Sequence, residues 1–149
     1  MSLFYEDINA GDTWVTPRRT ITEADIVNFA GLSGDFNPLH TDQVHAENTM
    51  FGRRIAHGML VFSIVMGLRQ RGGQFDGTIL AFLGINTWRF LKPVFIGDTI
   101  HAHTTIKDKR KSSNQDRGIM IQKIEVLNQK EEIAQEGEIA IMIQCKERS

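Results

Sequence analysis

The chain has 149 residues, a formal net charge of −1 and a single cysteine. This length suggests one domain, residues 1–149, burying about 68–70% of the surface of its unfolded chain, enough for a core without disulfides. Balanced charge without a long basic block argues against nucleic acid as a partner, and Cys145, having no internal partner, fits a reducing, cytoplasmic setting.

No basic leader with an apolar core opens the chain, so no signal peptide is expected. Asn9-Ala10-Gly11-Asp12 reads as a turn before a short strand near Thr13 to Thr16. Thr22, with Asp25 three residues on, marks a helix start, because hydroxyl and carboxylate can answer the free N–H groups of a first turn. Ile26, Phe29, Ala30 and Leu32 would form its apolar face, and Gly31 with Ser33-Gly34 would end it. The chain then enters Asp35-Phe36-Asn37-Pro38-Leu39-His40. Gly34 favours a turn, and Pro38 fixes its own φ and keeps Asn37 out of the α region. Asp35 and His40 are therefore expected to flank a stiff loop rather than share one helix. A second short helix is predicted from Asp42 to Asn48, with Thr41 as cap and Val44 pointing inward. There His40 would feel the positive end of the helix dipole, against the opposite influence of the Asp35 carboxylate.

Phe51 to Ala56 reads as a loop. The stretch from Gly58 to Arg69 is apolar nearly all round, which predicts a buried helix of roughly 18 Å ended by Gly72-Gly73. Its longest apolar run, Met59 to Met66, contains Ser63 and falls far short of the ~18 residues a membrane span requires. The remainder reads as β: Ile79 to Leu91, Thr99 to Lys109, Gly118 to Asn128 and Glu131 to Lys146. In the second of these, Ile100, Ala102, Thr104 and Ile106 oppose His101, His103 and Thr105. In the third, Ile119 and Ile121 fall out of phase with Ile124 and Val126, so a bulge is predicted between them. Long strands with short connections imply an antiparallel sheet, and one apolar helix with one such sheet gives an α+β domain whose sheet curls around the helix.

Three groups carry candidate chemistry. Asp35 and His40 form an acid–base pair able to orient a water and move its protons. Gly58 opens the apolar helix, where the first N–H groups lack intrahelical partners and a residue without Cβ lets a carbonyl oxygen approach. Together they suit addition of water to, or its removal from, an unsaturated carbonyl compound. Plainer roles exist for each residue. Asp35 could close an Asx turn, His40 could be a core histidine, and Asn37 fits a loop-holding role through backbone hydrogen bonds. Ser63 fits a hydroxyl bonding back to its own helix, and His57 a cap or a support for the pair. His101 and His103 resemble a metal pair, but no carboxylate or cysteine cluster accompanies them, so solvent exposure is expected and no metal site is assigned. Lys107 to Lys111 reads as a solvated hairpin end.

The segment Phe29-Ala30-Gly31-Leu32-Ser33-Gly34-Asp35-Phe36-Asn37-Pro38-Leu39-His40 resembles the hydratase signature of the MaoC-like dehydratases, the family of (R)-specific enoyl-CoA hydratases. Ile55-Ala56-His57-Gly58-Met59-Leu60 is similar to the segment opening that family's central helix, and Phe90-Leu91-Lys92-Pro93-Val94-Phe95-Ile96-Gly97-Asp98-Thr99 to a later strand-turn-strand element. The resemblance implies the hotdog fold, an acyl-CoA substrate, no cofactor, and a homodimer or dimer of dimers formed through sheet edges. It implies that Asp35 and His40 hold and activate water, with either able to take the first proton and Asp35 the favoured base, while the Gly58 N–H polarises a thioester carbonyl. Syn addition to a trans-2-enoyl-CoA would then give an (R)-3-hydroxyacyl-CoA. Asn37, His57 and Ser63 would support the site, and Phe36, Met59, Phe62 and Met66 would shape the acyl pocket. A hotdog acyl-CoA thioesterase and a non-catalytic acyl-CoA-binding module are the competing readings.

Overall fold

The computed structural model describes residues 1–147. Chain order is β1 (Thr13–Val15), β2 (Arg19–Thr20), α1 (Glu23–Ser33), α2 (Pro38–Thr41), α3 (Gln43–Glu47), α4 (Gly58–Gln70), β3 (Ile79–Phe90), β4 (Thr99–Lys111), β5 (Arg117–Leu127) and β6 (Ile133–Gln144), after a 3₁₀ turn at Tyr5–Asp7. The sheet is antiparallel with order β1-β4-β5-β6-β3, and β2 also pairs with β4. Alternate residues of the long strands (Ile100, Ala102 and Ile106; Met120, Ile124 and Val126; Ile139, Ile141 and Ile143) are buried in one core with Leu60, Val61, Ile64, Val65 and Leu68 of α4. Burial of each such aliphatic side chain stabilises by roughly 1.5–3 kcal/mol, which is why α4 sits on the sheet.

The start of α1 is as the sequence predicts: Thr22 Oγ1 accepts from Asp25 N–H at 3.2 Å, and the Asp25 carboxylate accepts from Thr22 N–H at 2.9 Å. Gly34 closes the helix at φ +78°, a left-handed conformation that favours glycine. Leu32, expected on the inner face, is 84% exposed; Ile26 and Ala30 carry the buried stripe. The segment after the loop also differs. Pro38 opens a helix of its own, α2, so His40 lies inside that turn rather than ahead of the next helix, and the dipole expectation for it does not apply. The cap of α3 is Asp42, whose Oδ1 accepts from His45 N–H at 2.9 Å, not Thr41. Val44 points outward and Ala46 is the buried contact.

The predicted bulge lies on the neighbouring strand. β5 keeps its register with β6 from Arg117 to Val126, and β4 carries the extra residue, between Ile106 and Asp108. Gln122 occupies a fully buried position, so the apolar series on β5 runs Met120, Ile124, Val126 with a polar residue inside it. His101, expected in solvent, is 3% exposed and faces Glu131 at 3.5 Å, whereas His103 is exposed. Burial lowers the pKa of His101 below the ordinary histidine value. The lysine-rich end of β4 is anchored as well as solvated: Lys109 Nζ donates to Tyr5 O at 3.0 Å, and Lys111 pairs with Glu6 at 3.2 Å.

β3 borders the sheet. It pairs only with β6, and Leu80, Phe82, Leu83 and Ile85 on it are 44–48% exposed. Among the described residues no helix is long and apolar enough to cross a membrane.

Candidate active site

The loop between α1 and α2 is tied to itself. Ser33 Oγ donates to Phe29 O at 2.7 Å and accepts from Asp35 N–H at 3.1 Å. Asp35 Oδ1 accepts from Asn37 N–H at 3.2 Å, and Asn37 Oδ1 accepts from Leu39 N–H at 3.0 Å, capping α2. Asp35 thus closes an Asx turn while its side chain stays exposed, and Asn37 holds the backbone in the manner expected of it.

Ile55 joins this loop to the start of α4. Its N–H donates to Leu39 O at 3.1 Å, it bridges to Phe95, and its carbonyl accepts from His40 Nδ1 at 2.7 Å. A carbonyl oxygen only accepts, so Nδ1 of neutral His40 carries the proton and Nε2 is left with a free lone pair. Two residues later His57 repeats the pattern with the nitrogens reversed. Its Nε2–H donates to Asp35 O at 2.9 Å, leaving Nδ1 unprotonated, buried and without a partner among the described residues. The side chain of His57 does not cap α4; it reaches back to the Asp35 backbone. The two imidazoles stack at 3.7 Å between centroids with 25° between planes, and Phe29 packs edge-on to His57 at 5.0 Å. His40 is 8% exposed and His57 is 3% exposed.

A carboxylate oxygen of Asp35 and one ring nitrogen of each histidine lie within 4.8 Å of one another. That residue set could hold a divalent ion by composition, yet the stack opposes it. Imidazole ligands bind along in-plane lone pairs at about 2.0–2.1 Å. Stacked rings with centroids 3.7 Å apart and 25° between planes aim their in-plane lone pairs side by side rather than at one point, so a shared ion requires the rings to part.

At the head of α4, Leu60 and Val61 N–H donate to His57 O, whereas Gly58 N–H has no acceptor among the described residues. Gln135 of β6 fixes this end: its Nε2 donates to Gly58 O at 3.1 Å, and its Oε1 accepts from Trp88 Nε1 at 3.1 Å. An apolar cleft of about 460 Å³ opens beside Gly58, walled by Phe51, Met59, Phe90 and Leu91. Phe90 supplies a second reason for glycine, since a Cβ at position 58 would stand 2.5 Å from its ring. A larger depression of about 1010 Å³, between the β4–β5 turn and Lys146, lies at the opposite end of β6 from Gln135 and holds none of the motif residues.

The structure brings together Asp35, Asn37, His40, His57 and the head of α4. The four side chains expected to shape an acyl pocket are dispersed. Met59 lines the cleft, Phe36 is 61% exposed, Phe62 is buried edge-on to Trp88 at 4.7 Å, and Met66 lies beside Arg69. Ser63 Oγ donates to Met59 O at 2.7 Å, bonding back to its own helix. Phe90 stands in the segment that resembles the family's strand-turn-strand element, but nothing in the sequence places its ring against Gly58, and nothing local marks Gln135 of β6.

A profile of the MaoC-like domain matches residues 8–128. The chain belongs to the MaoC-like domain family. The (R)-specific enoyl-CoA hydratase of Rhodospirillum rubrum is 42% identical over 106 residues, which cover 69% of this chain and 69% of that protein. Protein MaoC of Klebsiella aerogenes is 44% identical over 71% of this chain, but the matched part is 31% of the longer protein. Among solved structures, an Archaeoglobus protein described as a monoamine oxidase regulatory protein superimposes with a TM-score of 0.92 at 39% identity, over 98% of this chain and 97% of that one. The Mycobacterium tuberculosis protein Rv0216, described as a double hotdog fold, superimposes at 0.88 over 99% of this chain and 46% of its own, with 17% identity. This MaoC-like chain therefore has the hotdog fold.

Proposed function

We propose that this MaoC-like domain catalyses reversible syn hydration of a trans-2-enoyl-CoA to an (R)-3-hydroxyacyl-CoA. The observation that carries the reading is the hydrogen bond from His40 Nδ1 to Ile55 O at 2.7 Å. It leaves the Nε2 lone pair free on a ring of which one nitrogen lies within 4.8 Å of the exposed Asp35 carboxylate, an arrangement suited to holding and deprotonating one water. The relatives named as (R)-specific enoyl-CoA hydratases support the same reaction class. In the hydration direction the thioester carbonyl accepts from Gly58 N–H, and the acyl group lies in the cleft beside Phe90. The water oxygen bonds to C3. One of its protons passes to Asp35, with His40 sharing the water and relaying the proton. The π electrons move toward C2 and the carbonyl oxygen, where the Gly58 donor stabilises the developing charge. C2 then takes the proton from the same face.

His57 is a positioning residue in this scheme: it holds the Asp35 main chain and supports the His40 ring. The chain pairs with a second copy through the edge of β3, whose unpaired backbone and exposed Leu80, Phe82 and Ile85 provide an apolar border. Sedimentation equilibrium of wild type and Phe82→Lys measures that association, with a dimer expected for the former and a monomer for the latter.

Crotonyl-CoA, longer and dicarboxylic enoyl-CoAs, and saturated acyl-CoAs form the test panel. The expected result is consumption of at least one enoyl-CoA, an (R)-alcohol by chiral analysis, and no thiol release from saturated substrates. Thiol release without hydration supports a thioesterase instead. Binding of the whole panel without turnover supports a binding module.

A further inference from the structure

The opposite end of α4 holds a charge that the acid–base site does not use. Arg69 reaches between the helix and strands β4 and β5. Its Nε–H donates to Thr104 Oγ1 at 3.1 Å, its Nη2 to Gln122 Oε1, and its Nη1 approaches Met66 Sδ at 3.3 Å. Every one of these partners is neutral, and no carboxylate among the described residues forms an ion pair with Arg69. Gln122 is fully buried and Thr104 is 3% exposed. Burial lowers the Arg69 pKa to about 10, so the guanidinium remains charged at neutral pH.

Donors outnumber acceptors here. A guanidinium offers five N–H bonds and accepts none. Thr104 Oγ1 receives one of them, and its own hydroxyl proton has no acceptor among the described residues. A cavity of about 50 Å³ opens against these groups, walled by Trp14, Gln74 and Phe75, with Trp14 and Phe75 packed edge to face at 5.5 Å. Such a space holds only a few heavy atoms. Arg69 is half-buried, and a charge drawn partly out of water without a counter-charge is costly, a cost arginine cannot relieve by losing its proton.

We propose that this cavity is a binding site for one small monovalent anion, a halide or a short carboxylate such as formate, held by Arg69 and the Thr104 hydroxyl. One negative charge answers the single guanidinium, and an acceptor-only ligand answers the surplus of donors. The site stands independently of the chemistry assigned to the head of α4.

The test uses the full chain at fixed ionic strength, with sodium gluconate replaced stepwise by chloride, bromide or formate. A saturable rise in Tm is expected, about 3–6 °C at tenfold excess over Kd. The order of the chloride and formate midpoints identifies which anion the site prefers. Arg69→Met should abolish the rise, and Thr104→Val, which keeps the charge, should weaken apparent affinity several-fold. Anomalous diffraction from wild-type crystals grown in bromide should show a peak between Arg69 and Thr104, a readout that stands even where Arg69→Met fails to fold. Equal anion responses in wild type and a folded Arg69→Met, or no peak in the cavity, would overturn the proposal. A peak without a saturable shift means an adventitious ion only and overturns it as well.

Discussion

The two ends of α4 satisfy their polar groups in different ways. At the head, the histidines donate to main-chain carbonyls, His40 to Ile55 and His57 to Asp35. A carbonyl can only accept, so the protein fixes which nitrogen of each ring carries the proton and which keeps a lone pair. At the tail, Arg69 donates to a hydroxyl, an amide oxygen and a thioether, none of which answers its charge. Main-chain partners define a direction for chemistry, whereas neutral side-chain partners around a cation leave a demand that a ligand can meet. The head of the helix thus meets polar side chains bonded to main chain, and its tail a cation bonded to neutral side chains.

Substitutions at the head test whether its geometry serves chemistry or packing. Gly58→Ala places a methyl 2.5 Å from the Phe90 ring and also at the approach to the free N–H. Hydration should fall about 10²–10³-fold, the usual scale for losing an oxyanion donor. Adding Phe90→Ala relieves the contact and should leave activity low; recovery in the double variant would assign Gly58 to packing alone. At His57, glutamine can place a nitrogen donor near Asp35 O, while phenylalanine preserves the stack and removes the hydrogen bond. His57→Phe should lower kcat about 10–100-fold with KM nearly unchanged, and His57→Gln should stay within roughly threefold of wild type. Equal losses in the two variants would put the whole effect in packing.

Smaller effects bear on groups away from the head. His101 is buried with its pKa lowered by desolvation, so the unfolded chain binds its proton at a higher pH than the folded one. Its contribution is present above about pH 6.5 and is lost as pH falls through the lower folded value. The urea midpoint should therefore decline on acidification across that window, and His101→Gln should flatten the decline. Ser63→Ala should change kcat/KM by less than about twofold, because the hydroxyl is bonded to Met59 O of its own helix. A larger loss would show that Ser63 turns toward the substrate.

What the sequence disclosed was mostly local. The Thr22–Asp25 capping box, the Gly34 helix end and the Asp35–Asn37 turn each depend on residues a few positions apart, and each was legible, whereas the helical turn from Pro38 that carries His40 was not. Leu32 and Val44 were misplaced because an apolar residue on a short helix does not say which face the fold buries. The bulge was misassigned because Ile119 and Ile121 lie on the outer face of β5, while the buried series Met120, Gln122, Ile124, Val126 hides a polar residue, Gln122, in its register. Its burial depends on Arg69, 53 positions away in sequence, and on a register shift in β4. The candidate pair was legible as residues, but its tautomers depend on the carbonyls of Ile55 and Asp35, which only the folded chain brings into place. The cleft beside Gly58 was not legible, since Phe90 and Gln135 come from strands far along the chain.

Whether Asp35 activates water is decided by the Asp35→Asn substitution. Asparagine retains an oxygen acceptor for the Asn37 N–H, and the side chain is exposed, so the fold should survive. Hydration of the best enoyl-CoA in the panel should be followed by loss of enoyl-thioester absorbance for both proteins, with circular dichroism and melting recorded alongside. Wild type should hydrate that substrate rapidly, and an Asp35→Asn protein that melts normally should be slower by about 10²–10⁴-fold. Comparable rates in the two proteins would contradict a role for Asp35 in activating water.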